Sequence, residues 1–234
     1  VNDLMDVSKD RVHPVKRNRP IAAGRLPVNA VRLTVLVGIP LTALAAGAVN
    51  QEFLLVAGLY FLLSLAYSLF LKSIVIIDIF AIAFGFVLRA AAGAVAINVE
   101  ISNWLLVCVI LLSLFLAIGK RRHELTLLGQ SAADHRNILG QYSVALLDQM
   151  ASVMTASTVM AYCLYTLSED TIVKFGNDNL KYTIPFVIFG IFRYLYLIHR
   201  HDKGDAPEKV LTGDPPLLIN VLLYGAAVVV ILYF

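Results

Sequence analysis

Charge is scarce in this sequence. Asp, Glu, Lys and Arg make up 15% of its 234 residues, against 59% hydrophobic residues. An ordinary soluble domain carries about 25% charged residues, so this composition excludes one. The mean hydropathy of +0.78 places the chain among polytopic membrane proteins. Cysteine is nearly absent too. Cys108 and Cys163 both lie in apolar runs, which excludes a disulfide framework and any cysteine metal spacing. Strict apolar/polar alternation is missing, and with it the signature of a transmembrane barrel. The formal charge of +3 is small and spread over loops, so nucleic acid is not implied as a partner. Neither an initiator Met nor a signal peptide opens the chain, and the expectation is that residues precede Val1.

Long apolar runs are what the sequence has instead. A spanning helix needs about 20 apolar residues, and seven runs approach this: 28–49, 53–71, 74–97, 103–119, 143–167, 182–199 and 216–234. Without a barrel pattern only helices satisfy the backbone in lipid, so the fold class is an all-α polytopic transmembrane bundle. It is read as one domain over 1–234. The basic loops hold Lys9 to Arg25, Lys72, Lys120 to Arg136 and Arg200 to Lys209, while the opposite loops hold only Lys174 and Lys181 among several acids. This alternation predicts a cytoplasmic basic side, with the polar stretches 1–27 and 120–142 both on it.

The N-terminal stretch carries the strongest chemical signal. If residues 2–12 are helical, Asn2, Asp3, Asp6 and Asp10 share one face within an arc of about 100°. Carboxylates so close repel and raise one another's pKa unless a cation lies between them. Mg²⁺ suits them, since it takes hard oxygen ligands and completes its shell with water and substrate phosphate. Lys9, Arg11, Lys16, Arg17, Arg19 and Arg25 follow, a basic set suited to phosphate, although topology anchoring explains these cations equally well.

Two further places hold ionisable residues in unusual settings. Asp78 and Arg89 lie on one stripe of the third run with Ile82, Gly85 and Gly93, about 16 Å apart, which puts Arg89 near mid-membrane. There an arginine must meet an anion, backbone carbonyls or a residue such as Asp148, or form the cationic end of a cavity. Gly85 and Gly93 read as close-packing positions. After the fourth run comes Gly119-Lys120-Arg121-Arg122-His123-Glu124. If the helix continues, Lys120 and Glu124 share a face and Arg121 is three residues from Glu124. The stretch 199–205 has irregular ligand spacing and reads as a solvated connector.

Asn2-Asp3-x-x-Asp6-x-x-x-Asp10, followed by Asn18-Arg19-Pro20-Ile21-Ala22-Ala23-Gly24, resembles the first aspartate-rich motif of the UbiA superfamily of intramembrane prenyltransferases, as does Tyr67-Ser68-x-x-x-Lys72. His13-Pro14-x-Lys16-Arg17, Gly85-Phe86-x-x-Arg89-Ala90-x-x-Gly93-Ala94, Ser102-x-Trp104 and Gly119-Lys120-Arg121-Arg122-x-Glu124 are similar to one branch, the decaprenyl-phosphate phosphoribosyltransferases. The resemblance covers nearly the whole chain. It implies a nine-helix fold, with two further helices before Val1. Where prenyl-diphosphate enzymes of the superfamily carry a second set of aspartates, this chain has Lys120, Arg121, Arg122 and Glu124.

The resemblance therefore implies transfer of 5-phosphoribose from phosphoribosyl diphosphate to a polyprenyl phosphate, for cell-wall arabinan precursor synthesis. Asp3, Asp6 and Asp10 are the implied Mg²⁺ ligands, with Asn2 orienting a phosphate or ribose hydroxyl. Lys16, Arg17, Lys120, Arg121 and Arg122 are the implied phosphate binders. Tyr67 and Lys72 are implied donors to the diphosphate, and Glu124 either holds a basic residue or meets a ribose hydroxyl. Arg89 joins the substrate-binding set at the end of a cavity. The expected setting is a bacterial inner membrane with the active site facing the cytoplasm, and a homo-oligomer is compatible with it. The alternatives are a UbiA-type enzyme prenylating an aromatic acceptor, and a non-catalytic transporter or lipid-binding protein.

Overall fold

The computed structural model describes residues 4, 6–12, 16–128, 137–200 and 207–233. Its helices are α1 (Val7–Val12), α2 (Val28–Val49), α3 (Gln51–Leu69), α4 (Ile77–Ala96), α5 (Asn103–Leu128), α6 (Val144–Leu167), α7 (Glu169–Phe175), α8 (Ile184–Arg200), α9 (Pro207–Gly213) and α10 (Pro215–Tyr233). Among the described residues there is no strand. Seven helices are long and apolar enough to cross a membrane, matching the seven runs to within a few residues at most ends. The fourth differs most, because α5 does not stop at Gly119 but continues to Leu128. The stretch 120–142 is therefore helical at its start, and Asn137–Gln141 form a 3₁₀ turn.

Polar residues at the run ends act as caps. The Asn50 side chain accepts a hydrogen bond from the Phe53 amide at 2.6 Å and donates to the Val95 carbonyl at 3.2 Å, so one residue starts α3 and ties it to α4. Ser143 accepts from the Leu146 amide, Ser168 from Thr171, and Asp214 from Leu217, starting α6, α7 and α10. Gly176 ends α7 at φ 72°, where a side chain would be strained.

The chain forms two compact units, Val1–Glu100 with Ser131–Gln141 and Ile101–Gln130 with Tyr142–Phe234. In the first, α3 packs between α2 and α4. A Cβ at Gly85 would sit 3.7 Å from the Tyr60 ring, an ordinary packing distance, while one at Gly93 would meet nothing within 4 Å. Gly93 is thus not the close-packing position expected of it. The large apolar side chains of α2 and α3 stay mostly exposed, as lipid-facing surfaces require.

The second unit is packed more densely. Phe115, Tyr194, Leu197, Ile198, Val210 and Leu217 form one core cluster, and Cys108, Ala161, Tyr162, Tyr165 and Leu180 another. The Tyr162 hydroxyl lies 2.6 Å from Thr183 Oγ1 and 3.1 Å from the Tyr224 hydroxyl, so its buried polar tip is satisfied. At Gly119 a Cβ would come within 3.3 Å of the Tyr194 ring, and the absence of one lets α5 and α8 approach where the basic stretch begins.

Candidate functional site

In the first unit the site is organised around an ion pair that joins distant parts of the chain. Asp6 occupies a bend immediately before α1, and Lys72 lies on the 3₁₀ turn Leu71–Ser73 between α3 and α4. The Lys72 ammonium donates to both Asp6 carboxylate oxygens, at 2.6 and 2.9 Å. Each side chain is about one-fifth exposed, so the pair is neither dry nor freely solvated. The helical face expected over residues 2–12 does not run regularly through Asp6. Aspartate favours the position just before a helix, and here α1 starts at Val7. Asn2 and Asp3 lie outside the described residues, as do the side chains of Asp10 and Lys16. Arg17 is exposed on the turn Lys16–Asn18.

The connection carrying Lys72 is strained. Ile76 has φ 69° and ψ −45°, and the Ile77 amide donates to the Val75 carbonyl at 2.8 Å, closing a γ-turn of the unfavourable hand. A β-branched residue held there costs about 1–3 kcal/mol. The turn leads directly to Asp78, which is fully buried. Neither the Asp6–Lys72 pairing nor this turn left a local signal in the sequence, because one is tertiary and the other is imposed on a residue that resists it.

A cavity of about 440 Å³ opens between α3 and α4. Tyr60, Ser64, Tyr67 and Ser68 line it from one face of α3, and Gly85 and Arg89 from α4. Arg89 Nε donates to the Gly85 carbonyl at 3.2 Å, and its guanidinium lies 4.4 Å from the Phe86 ring and 5.5 Å from the Tyr60 ring. Aromatic faces offset part of a desolvation cost of about 3 kcal/mol or more. Carbonyl contact and a cavity, two of the settings expected for Arg89, are both present. Asp148, the partner considered for it, pairs elsewhere.

In the second unit, the continuation of α5 fixes the basic stretch. Arg121, 1% exposed, donates through Nη1 to Glu124, one helical turn on. Glu124 thus holds a basic residue, one of the two roles expected of it, although its partner is Arg121 rather than Lys120 on the shared face. Arg122 Nε donates to Asp148 Oδ1 at 2.5 Å, and its Nη1 to the Ile198 carbonyl at 2.9 Å. His199 Nε2 lies 3.2 Å from the same Asp148 oxygen. Three helices, α5, α6 and α8, are thereby latched at Arg122. Lys120 is half-buried and, among the described residues, has no ion-pair partner. The carboxylates on Arg121 and Arg122 compete with any phosphate for these two cations, whereas among the described residues none pairs with Lys120.

Mg²⁺ is tested here by the donor set. Among the described residues no three His, Cys, Asp or Glu side chains gather. Of the three expected ligands only Asp6 has its side chain among the described residues; a carboxylate is the kind of hard-oxygen donor Mg²⁺ takes, and both of its oxygens here meet the Lys72 ammonium.

The second unit also contains an ion pair that sequence reading passed over as scaffolding. Arg193 on α8 donates through Nε and Nη2 to the two Asp214 oxygens at 3.0 and 2.8 Å, fixing α8 to the start of α10. The isolated Asp before Pro215-Pro216 was its only signal.

Comparison with known proteins bears on the family and the fold. A model of the UbiA prenyltransferase family matches residues 1–222. A protein of Corynebacterium glutamicum named decaprenyl-phosphate phosphoribosyltransferase is 37% identical over 240 residues, covering 100% of this chain and 70% of its own length. A protein of the same name from Mycolicibacterium smegmatis is 33% identical, covering 100% of this chain and 75% of its own. Among solved structures, a UbiA homologue from Archaeoglobus fulgidus bound to GPP and Mg²⁺ superposes with a TM-score of 0.74 at 19% identity, covering 100% of this chain and 81% of that one. The last match speaks to the fold alone; the family model and the relatives matched across this whole chain establish that this chain belongs to the UbiA prenyltransferase family.

Proposed function

We propose that this protein transfers 5-phosphoribose from phosphoribosyl diphosphate to a polyprenyl phosphate such as decaprenyl phosphate, releasing diphosphate. The observation that carries the reading is the cationic stretch Lys120-Arg121-Arg122 in a chain whose relatives, matched across all of it, are named for this activity. A second anionic substrate needs a cation that a phenolic acceptor would not.

In this account a phosphate oxygen of the lipid forms a bond to the anomeric carbon of the ribose. The bond from that carbon to the diphosphate breaks, and the diphosphate leaves with the electron pair. The lipid phosphate is already ionised, so no strong base is required. Asp6, joined by Asp3 and Asp10, would hold Mg²⁺, which when bound would neutralise charge on the leaving diphosphate. Asn2 orients a phosphate or ribose hydroxyl. Lys72 turns from Asp6 to the diphosphate, and Tyr67 presents its hydroxyl from the adjacent wall of the cavity. Lys16, Arg17 and Lys120 bind phosphate directly. Arg121 and Arg122, held by Glu124 and Asp148, add positive potential and keep the turn that bears Lys120 in place. The alternating charges of the loops favour a cytoplasmic site in a bacterial inner membrane, supplying a lipid-linked precursor for the cell wall.

The test uses the protein in detergent with labelled phosphoribosyl diphosphate, decaprenyl phosphate and Mg²⁺. Label is expected on the lipid with release of one diphosphate per transfer, and chelation of the metal is expected to stop both. Transport or simple lipid binding would release no diphosphate.

A further inference from the structure

Arg89 is the unusual group in the cavity of the first unit. A guanidinium carries five N–H donors, and the Gly85 carbonyl accepts from one, Nε. Two aromatic faces cover part of the cation. Among the described residues it has no carboxylate partner, and its side chain is exposed at the wall it helps to form. An arginine so placed in a spanning helix is costly unless an anion arrives.

The opposite wall indicates what kind of anion. Tyr60, Ser64, Tyr67 and Ser68 recur at helical spacing along one face of α3, so four hydroxyl-bearing side chains stand in the lining among apolar neighbours such as Phe61 and Ile82, with Ser68 Oγ donating to the Ser64 carbonyl. A hydroxylated sugar phosphate suits that stripe. The Arg89 side chain folds back along α4 to Gly85 and Phe86, toward the helix start that follows the Asp6–Lys72 pair. From Gly85 to Ile77 is about 12 Å of helix. A pentose bearing a diphosphate at one end and a phosphate at the other fills a space of that order.

Resting on the phosphoribosyl-transfer reading above, we propose that Arg89 is a specificity-determining residue that binds the 5-phosphate of the donor, so that this cavity selects a sugar with phosphates at both ends over a prenyl diphosphate. Its guanidinium takes the phosphate oxygens through the N–H groups on the cavity side, and the aromatic faces of Tyr60 and Phe86 hold the plane of the fork.

The experiment measures binding of two donors to the full chain in detergent with Mg²⁺: phosphoribosyl diphosphate, and ribosyl 1-diphosphate, which lacks the 5-phosphate. Wild type is expected to prefer the first by about 10- to 100-fold, the value of hydrogen bonds to a charged group. In Arg89→Met that preference should fall to within about threefold, and Arg89→Lys should lie between. Arg89→Gln carries the same test if the methionine variant does not accumulate folded. A preference retained in the neutral variants, or a wild type indifferent to the 5-phosphate, overturns the proposal. So does a rise confined to the KM for polyprenyl phosphate, which would give the anion to the acceptor. A wild type that transfers no label from phosphoribosyl diphosphate removes the functional reading itself, whereas wild-type transfer with unchanged donor preference in Arg89→Met removes only this assignment.

Discussion

The two units handle charge in opposite ways. In the first, Lys72 closes on a carboxylate that would hold a metal, and Arg89 rests on aromatic faces beside a cavity. In the second, cations are secured by partners of the same unit: Arg121 by Glu124, Arg122 by Asp148 and the Ile198 carbonyl, Arg193 by Asp214. The first also exposes most of α2 and α3, while the second buries a large share of α5, α6 and α8. On the proposed function, the first region's charges would await a ligand and sacrifice stability for binding, while a region whose charges are internally matched provides a rigid mount. Lys120 is the exception in the second unit, a cation carried by the mount but without an ion-pair partner of its own among the described residues.

This contrast fails first at Asp6 if it is wrong. Asp6→Asn should lower transfer on the order of 10²–10³-fold while leaving thermal unfolding in detergent nearly unchanged, since a partly solvated pair contributes little to stability. Loss of Tm without loss of rate would reassign Asp6 to structure. Arg122→Met should do the reverse: unfolding destabilised by about 2 kcal/mol, with Asp148 left to His199 alone, and recovered in large part by adding Asp148→Leu. Independent, additive effects of these two substitutions would argue against the latch. Lys120→Ala is expected to raise the KM of an anionic substrate about 10-fold at constant Tm, intermediate between the two behaviours.

The smallest effect is expected outside both regions. The Lys181 ammonium holds the exposed Asp178 carboxyl below its ordinary value. A carboxylate with a lowered folded-state pKa contributes stability above its unfolded pKa and loses it as pH falls through the folded one. Asp178→Asn should therefore alter the Tm only at neutral pH, and barely, because solvent screens the pair. A large shift would show that a charge pair at the surface matters more than the contrast allows.

The spans were legible because hydrophobic length is a local property: all seven runs became helices, with ends moved by caps such as Asn50 and Ser143 that the apolar count ignores. The continuation of α5 through Lys120 to Leu128 was conditional in the sequence, since charged residues at a span end read equally as helix or loop. Residue types announced the site better than geometry did. Asp6, Arg89 and the basic stretch were singled out by chemistry and Lys72 by family resemblance, yet, Glu124 aside, their partners were not. Asp6 meets Lys72 across 66 residues, and Asp148 serves Arg122 and His199 where Arg89 had seemed a candidate. Pairing of this kind depends on which helices adjoin, and no periodicity encodes it. The left-handed Ile76 was invisible for a different reason, since local preference argues against it.

The central claim is the identity of the group transferred. The direct measurement offers the protein labelled phosphoribosyl diphosphate with decaprenyl phosphate in one reaction, and labelled prenyl diphosphate with an aromatic acid in a second, both with Mg²⁺. The account predicts label on the lipid phosphate in the first and none on the aromatic acid in the second. Modification of the aromatic acid alone would contradict it, returning the chain to aromatic prenyl transfer and leaving the cations of the second unit as topology anchors.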